Sequence, residues 1–186
     1  MTRRIWRATI LLSLLAASLI ALSWGLRVFY RSAYPVTYYE TVLTESKSQG
    51  IDPALVFAVI RTESNFRPEV QSSIGARGLM QITEETFDWI VYRTGFEGHS
   101  FNDLYDPHIN IQYGAALLRL LADEFDTQVN SLCAYHAGWG SVKRWLANPE
   151  TAPDGATLLA IPFGDTARYV RKVEATQNAY SGLYGL

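Results

Sequence analysis

From Ala8 to Leu26 the chain runs for nineteen residues without a charge. As a helix such a run is about 28 Å long, close to the ~30 Å hydrocarbon thickness of a bilayer. Nothing on it is polar enough to make a wet face, so it does not suit the surface of a soluble domain. Arg3, Arg4 and Arg7 precede the run, which places this tip in the cytoplasm and the rest of the chain outside, with Trp24, Phe29 and Tyr30 at the outer interface. The alternative is a cleavable signal peptide, for which Ala21-Leu22-Ser23 offers small residues. The apolar run exceeds the usual 7–15 residues of a signal h-region, so the uncleaved anchor is the favoured reading. Residues 1–31 are thus expected to form a basic tip and a transmembrane anchor, residues 32–38 a linker, and residues 39–186 one domain. The anchored form belongs to the cell membrane and the cleaved form would be secreted.

Charge and cysteine usage narrow what that domain does. Five of the 16 basic residues lie at or before Arg31, leaving 11 against 18 acidic residues from Ser32 onward. There is no basic patch for nucleic acid. The single Cys133 makes no internal disulfide and sits in an apolar run, as a small core residue would. His99, His108 and His136 show no metal-ligand spacing with it, so neither a metal nor a cofactor is predicted.

No stretch alternates with period two over any length, and helix signals recur. Asp52-Pro53 and Asp106-Pro107 each pair an N-cap oxygen with a first-turn residue that needs no donor. Helices are expected from Tyr39 to Ser48, ended by Gly50, and from Pro53 to about Ser64. Others should run from an N-cap at Thr83 to Thr94, from Asp106 to about Phe125 with a stripe of Ile111, Ala115, Leu118 and Ala122, and from Gln128 to His136. A short helix capped by Ser141 and a last one from near Asp165 complete the set. The stretch before Tyr105 reads as a loop, and Phe66 to Arg77 as a small hairpin or irregular lobe. The fold class is all-α.

Glu63 ends the most apolar of these helices. Val56, Val59 and Ile60 share its face, so the carboxyl stands at the end of a buried stripe. One account makes it a structural ion facing solvent or pairing with Arg61, Arg67 or Arg77. The other has the apolar wall raise its pKa and keep a proton available for general acid catalysis. The segment Ser72–Gln81, small and glycine-bearing, would let backbone approach a ligand and form one wall of a cleft.

Four segments resemble, in order, the motifs of the SLT-type lytic transglycosylases, glycoside hydrolase family 23. They are Glu63-Ser64-Asn65-Phe66; Ser72 with Gly75-Ala76 and Gly78-Leu79-Met80-Gln81; Ala134-Tyr135-His136-Ala137-Gly138; and Ile161-Pro162 with Asp165-Thr166-Ala167-Arg168-Tyr169-Val170. The resemblance covers about residues 36–186 and implies a lysozyme-like domain that cleaves the bond between N-acetylmuramic acid and N-acetylglucosamine in peptidoglycan. It implies that Glu63 protonates the leaving oxygen and then takes the proton of the muramyl 6-hydroxyl, leaving a 1,6-anhydro end, a lyase reaction that needs no enzymic nucleophile. By the same resemblance Ser72, Met80, Gln81, Tyr135 and Tyr169 line or serve the substrate. Gln81 would be both donor and acceptor, and Tyr169 would set its hydroxyl on Glu63. Ser64, Gly78, His136 and Gly138 support them.

This chain departs from the family pattern in two places. His136 stands where Asn is usual, which puts a group that titrates near neutrality in the presumed cleft. Asp165 stands where Glu is usual, a change read as an N-cap matter. Two alternatives remain open, a hydrolase of the goose-type lysozyme kind and a catalytically silent wall-binding factor. The partners implied are the glycan strand and the membrane. Wall synthesis and assembly of a secretion apparatus both stay open as sources of protein partners.

Overall fold

The computed structural model describes residues 2–186. Met1 and the side chains of residues 2–5 and 8 lie outside that description, and with them those of Arg3 and Arg4, on which the expected orientation partly rests. The chain divides into two compact units, Met1–Pro35 and Val36–Leu186.

The first unit is a single helix, α1 (Thr2–Ala33). Its stretch Thr9–Ala33, with a mean hydropathy of 2.0, is long and apolar enough to cross a membrane. The hydroxyls of Thr9, Ser13, Ser18 and Ser23 all donate to carbonyls three or four residues earlier. These four hydroxyls are thereby satisfied by the helix's own backbone, as a hydrocarbon environment requires.

The second unit is helical throughout: α2 (Tyr39–Gln49), α3 (Pro53–Glu63), α4 (Glu84–Thr94), a 3-10 helix (Phe101–Tyr105), α5 (Pro107–Glu124), α6 (Gln128–Ala137), α7 (Trp139–Leu146) and α8 (Gly164–Tyr184). Among the described residues there is no β-strand; two isolated bridges, Gln71 to Arg77 and Arg77 to Ile82, tie the loop between α3 and α4. The start signals act as their chemistry requires. The Asp52 carboxylate accepts from the Ala54 amide at 2.8 Å, that of Asp106 from the amides of His108 and Ile109, and the hydroxyl of Thr83 from the backbone amide of Thr86. Gly50 and Gly95 end α2 and α4 in the left-handed region, at φ 65° and 71°.

Four local expectations are corrected. The stretch read as a loop before Tyr105 closes as the 3-10 helix, because Ser100 and Asp103 cap one another reciprocally. α7 starts at Trp139 and not at Ser141: Gly138, at φ 85° and ψ 144°, turns the chain straight out of α6, and no side chain caps α7. Asp165 is not an N-cap. It lies inside the first turn of α8, where its carboxylate accepts from the Thr166 amide near the positive end of the helix. On α5 the buried stripe passes through Leu121, and Ala122 faces solvent.

The core is organised around α3, in which every residue from Ala54 to Ile60 is buried. Its most extensive partner is α8, with α2 and α5 on other sides. The Phe57 ring joins these elements, stacking on Tyr180 at 5.3 Å and on Tyr39 at 6.2 Å. Burial of side chains such as Val56, Phe57, Val59 and Ile60 contributes about 1.5–3 kcal/mol each. Cys133 is fully buried, and burial pushes its thiol up to about 11.

Candidate active site

Glu63 is the last residue of α3. Its place is fixed from both sides. Behind it, Val56, Val59 and Ile60 are fully buried. After it, Ser64 is itself buried and donates its hydroxyl to the Ile60 carbonyl at 3.2 Å, while the Ser64 carbonyl accepts from the Arg67 guanidinium at 3.0 Å. Asn65 and Phe66 then turn the chain away with φ of 51° and 63°, a left-handed pair that Phe66 secures by packing its ring on Phe57. Two consecutive non-glycine residues in that region store strain of order 1–3 kcal/mol each.

The setting acts on the carboxyl as apolar walls should. Burial raises the Glu63 pKa from 4.5 to about 7, and an interaction with the Tyr169 hydroxyl and the charge of Lys172 both pull against that rise. The Tyr169 hydroxyl is buried and completes no well-formed hydrogen bond to a protein atom. It is near enough to Glu63 to favour the carboxylate, yet looser than a full hydrogen bond. Lys172 hangs its ammonium on the Thr62 carbonyl at 3.5 Å.

A cavity of about 380 Å³ opens on Glu63, with Ser72, Ile74, Gln81, Tyr135 and His136 among its lining residues. Its loop wall is built from inside. Ser72 accepts the Ala76 amide on its hydroxyl, and the backbones of Ser72 and Ala76 also pair. Gly78 permits the close approach that follows, at φ 74°: a Cβ there would lie 2.2 Å from the Leu104 carbonyl oxygen and the Asn110 side chain. Asn110, fully buried on α5, accepts the Met80 amide at 2.8 Å and donates to the carbonyls of Arg77 and Leu104. Sequence reasoning missed Asn110, and only its place four residues after an N-cap hinted at an inward position.

The predicted side chains take roles that differ in detail from expectation. Gln81, held at φ 49°, donates its amide hydrogens to the Val70 and Gly78 carbonyls, so towards the cavity it is an acceptor rather than donor and acceptor both. Met80 is fully buried, with its sulfur packed where a Cβ on Gly114 would stand; its carbonyl, not its side chain, takes part by accepting the Tyr135 hydroxyl at 2.6 Å. Tyr135 stacks with Tyr169 at 6.4 Å. His136 lies 4.5 Å from the Tyr169 ring, and its Nδ1 pairs with the Thr166 hydroxyl at 3.1 Å. Burial lowers its pKa, against the charge of Asp165. Lys172 and Thr166 are further residues that no local sequence signal marked. Among the described residues no three His, Cys, Asp or Glu side chains gather as a metal site. The arrangement thus holds one protonatable carboxyl at neutral pH, apolar walls behind it and hydrogen-bonding groups before it, which suits proton transfer to a bound oxygen.

Residues 40–157 match the family described as Transglycosylase SLT domain. Among curated relatives, the soluble lytic murein transglycosylase of Escherichia coli K12 is 32% identical over 155 residues, covering 82% of this chain and 24% of that protein. Membrane-bound lytic murein transglycosylase C of Salmonella arizonae is 30% identical over 199 residues, covering 90% of this chain and 55% of that protein. Among solved structures, the 70 kDa soluble lytic transglycosylase of Escherichia coli superposes with a TM-score of 0.76 at 31% identity, over 84% of this chain and 26% of the other. The chain therefore spans about a quarter of the soluble relative and about half of the membrane-bound one.

Proposed function

The chain belongs to the transglycosylase SLT family, and from that premise we propose that it is a peptidoglycan lytic transglycosylase with Glu63 as its single acid and base. The observation that carries the reading is the Glu63 carboxyl, raised to about 7, in a cavity where it is the sole carboxylate among the described lining residues. A glycosidase that activates water or forms a covalent intermediate uses a second carboxylate across the sugar. A lyase does not need one.

In the proposed reaction the protonated Glu63 gives its proton to the glycosidic oxygen as the bond from the muramyl C1 breaks. The acetamido carbonyl of that sugar steadies the positive centre. The sugar's own 6-oxygen then bonds to C1, its proton passes to the Glu63 carboxylate, and the acid is restored with no water consumed. Tyr169 favours the carboxylate at mid-reaction, and Gln81 and Ser72 orient the substrate. We further propose that α1 holds the catalytic unit at the outer face of the cytoplasmic membrane, with Arg3, Arg4 and Arg7 inside. The membrane-bound relative supports the association.

The test is mass spectrometry of muropeptides released from purified peptidoglycan by the full chain in detergent, beside Glu63→Gln. Anhydro-muramyl ends that vanish in the variant are expected. Reducing ends would assign the protein to the goose-type hydrolases, and no products from folded protein would assign it a binding role.

A further inference from the structure

The Glu63 cavity holds a second group that changes charge near neutral pH. Among its described lining residues only Glu63, Tyr135 and His136 titrate. Tyr135 stays neutral, since burial first and then the Glu63 charge hold its hydroxyl well above the ordinary tyrosine value. The lining from the loop, α4 and α5, which includes Ser72, Gln81, Thr83, Thr86 and Leu117, carries no charge. Of these lining groups, His136 is the one able to bring a positive charge to the acid.

Two contacts to α8 fix its ring. Nδ1 pairs at 3.1 Å with the hydroxyl of Thr166, a buried residue, and the imidazole leans on the Tyr169 ring at 4.5 Å and 33°. Tyr169 carries the effect onward, because its hydroxyl interacts with Glu63. A chain of contacts thus runs from Thr166 through His136 and Tyr169 to the acid. The charges around the ring divide. Asp165 of α8 favours the imidazolium, as does the carbonyl end of α6, in whose last turn His136 lies. The cations of the neighbouring helices are engaged elsewhere: Lys172 of α8 on the Thr62 carbonyl, Lys143 of α7 on Glu124, and Arg144 of α7 on the Ser141 hydroxyl. Burial outweighs Asp165, so the ring is mainly neutral at pH 7.

The proposed reaction needs it neutral. Bond cleavage builds positive charge at the muramyl C1, and an imidazolium in the same cavity would repel that charge. It would also draw Glu63 towards its carboxylate, and so take the proton that the leaving oxygen requires. We propose that His136 is a positioning residue, which seats Tyr169 beside Glu63 and must be uncharged for cleavage to proceed. This rests on the lyase reading of Glu63. It closes the working range from the acid side, as loss of the Glu63 proton closes it from the alkaline side.

The experiment measures kcat and KM of the full chain in detergent on peptidoglycan across the pH range. Wild type should give a bell, with kcat falling towards tenfold per pH unit on its acid limb, below the ordinary histidine pKa of about 6.5. His136→Asn, whose flat amide can still lie on Tyr169 but carries no charge, should lose the acid limb alone. One pH unit into that limb it should outpace wild type about tenfold. His136→Ala, which unseats Tyr169, should lower kcat at every pH and leave KM in place. His99→Asn, outside the cavity lining, should keep the limb. A wild-type profile without an acid limb, or a limb that survives His136→Asn, would overturn the proposal. Should the protein cut nothing at any pH, the lyase reading falls, and NMR of the His136 imidazole decides its link to Glu63 separately. A signal that steps with the carboxyl near 7 in wild type and not in Glu63→Gln supports the link; one step with the same midpoint in both overturns it.

Discussion

At the scale of one residue, Glu63 trades stability for a usable proton. Its pKa is about 7 in the fold against an ordinary 4.5, so between those values the folded chain binds more protons than the unfolded one. The stability contributed by the neutral carboxyl is complete below 4.5 and is lost as pH rises through about 7, at most about 3 kcal/mol. Glu63→Gln, which is neutral at every pH, should therefore melt above wild type at pH 8 and level with it at pH 4 in calorimetry. In the proposed reaction the same group sets the rate. kcat/KM on peptidoglycan should fall tenfold per pH unit above about 7, as the acid is lost. Tyr169→Phe removes an interaction that lowers this pKa, so its falling limb should lie at higher pH than that of wild type, on a lower plateau. A limb that moved down instead would show that Tyr169 does not act on Glu63.

At the scale of elements, the loop wall hangs on one side chain of α5. Asn110→Ala would leave the Met80 amide and the Arg77 and Leu104 carbonyls without their partner. Each buried group so stranded costs about 1–3 kcal/mol, and a total of about 3–5 kcal/mol should appear in urea unfolding. Gly78→Ala should cost on the order of 3 kcal/mol, from a left-handed φ and a clash with backbone. If either variant unfolded like wild type, the wall would have another support. These residues also mark where the sequence is legible. Asp52-Pro53, Asp106-Pro107, Thr83 and Gly50 announced their helix ends because caps are local chemistry, and the apolar stripe behind Glu63 was readable because helical spacing is fixed. The start of α7 was not, since it depends on the backbone angles of Gly138 and on no capping side chain. Asn110 reads as a surface amide until the loop from Arg77 to Met80 folds over it. Gln81 could be seen to belong to the wall, but not that its amide hydrogens go to Val70 and Gly78, because that choice is made by the left-handed backbone at its own position.

At the scale of the whole molecule, the two units meet opposite demands. From Ser32 onward acidic residues outnumber basic ones by 18 to 11, so on the proposed function the second unit gains no general attraction to an anionic wall polymer, and proximity has to come from elsewhere. The apolar stretch Thr9–Ala33, with the hydroxyls of Thr9, Ser13, Ser18 and Ser23 spent on its own backbone, is fitted to supply it. The expectation is that the protein stays in the membrane fraction through an alkaline carbonate wash, that its intact mass there includes the apolar stretch, and that protease added to spheroplasts digests Val36–Leu186. Replacing Arg3, Arg4 and Arg7 together with Glu should lower the protease-accessible fraction, because on the proposed topology those charges retain the tip in the cytoplasm. A soluble product whose mass begins at Trp24, after Ala21-Leu22-Ser23, would instead make the segment a leader. The unit proposed to cut the wall would then be free to diffuse, and its proximity to substrate would no longer come from the membrane.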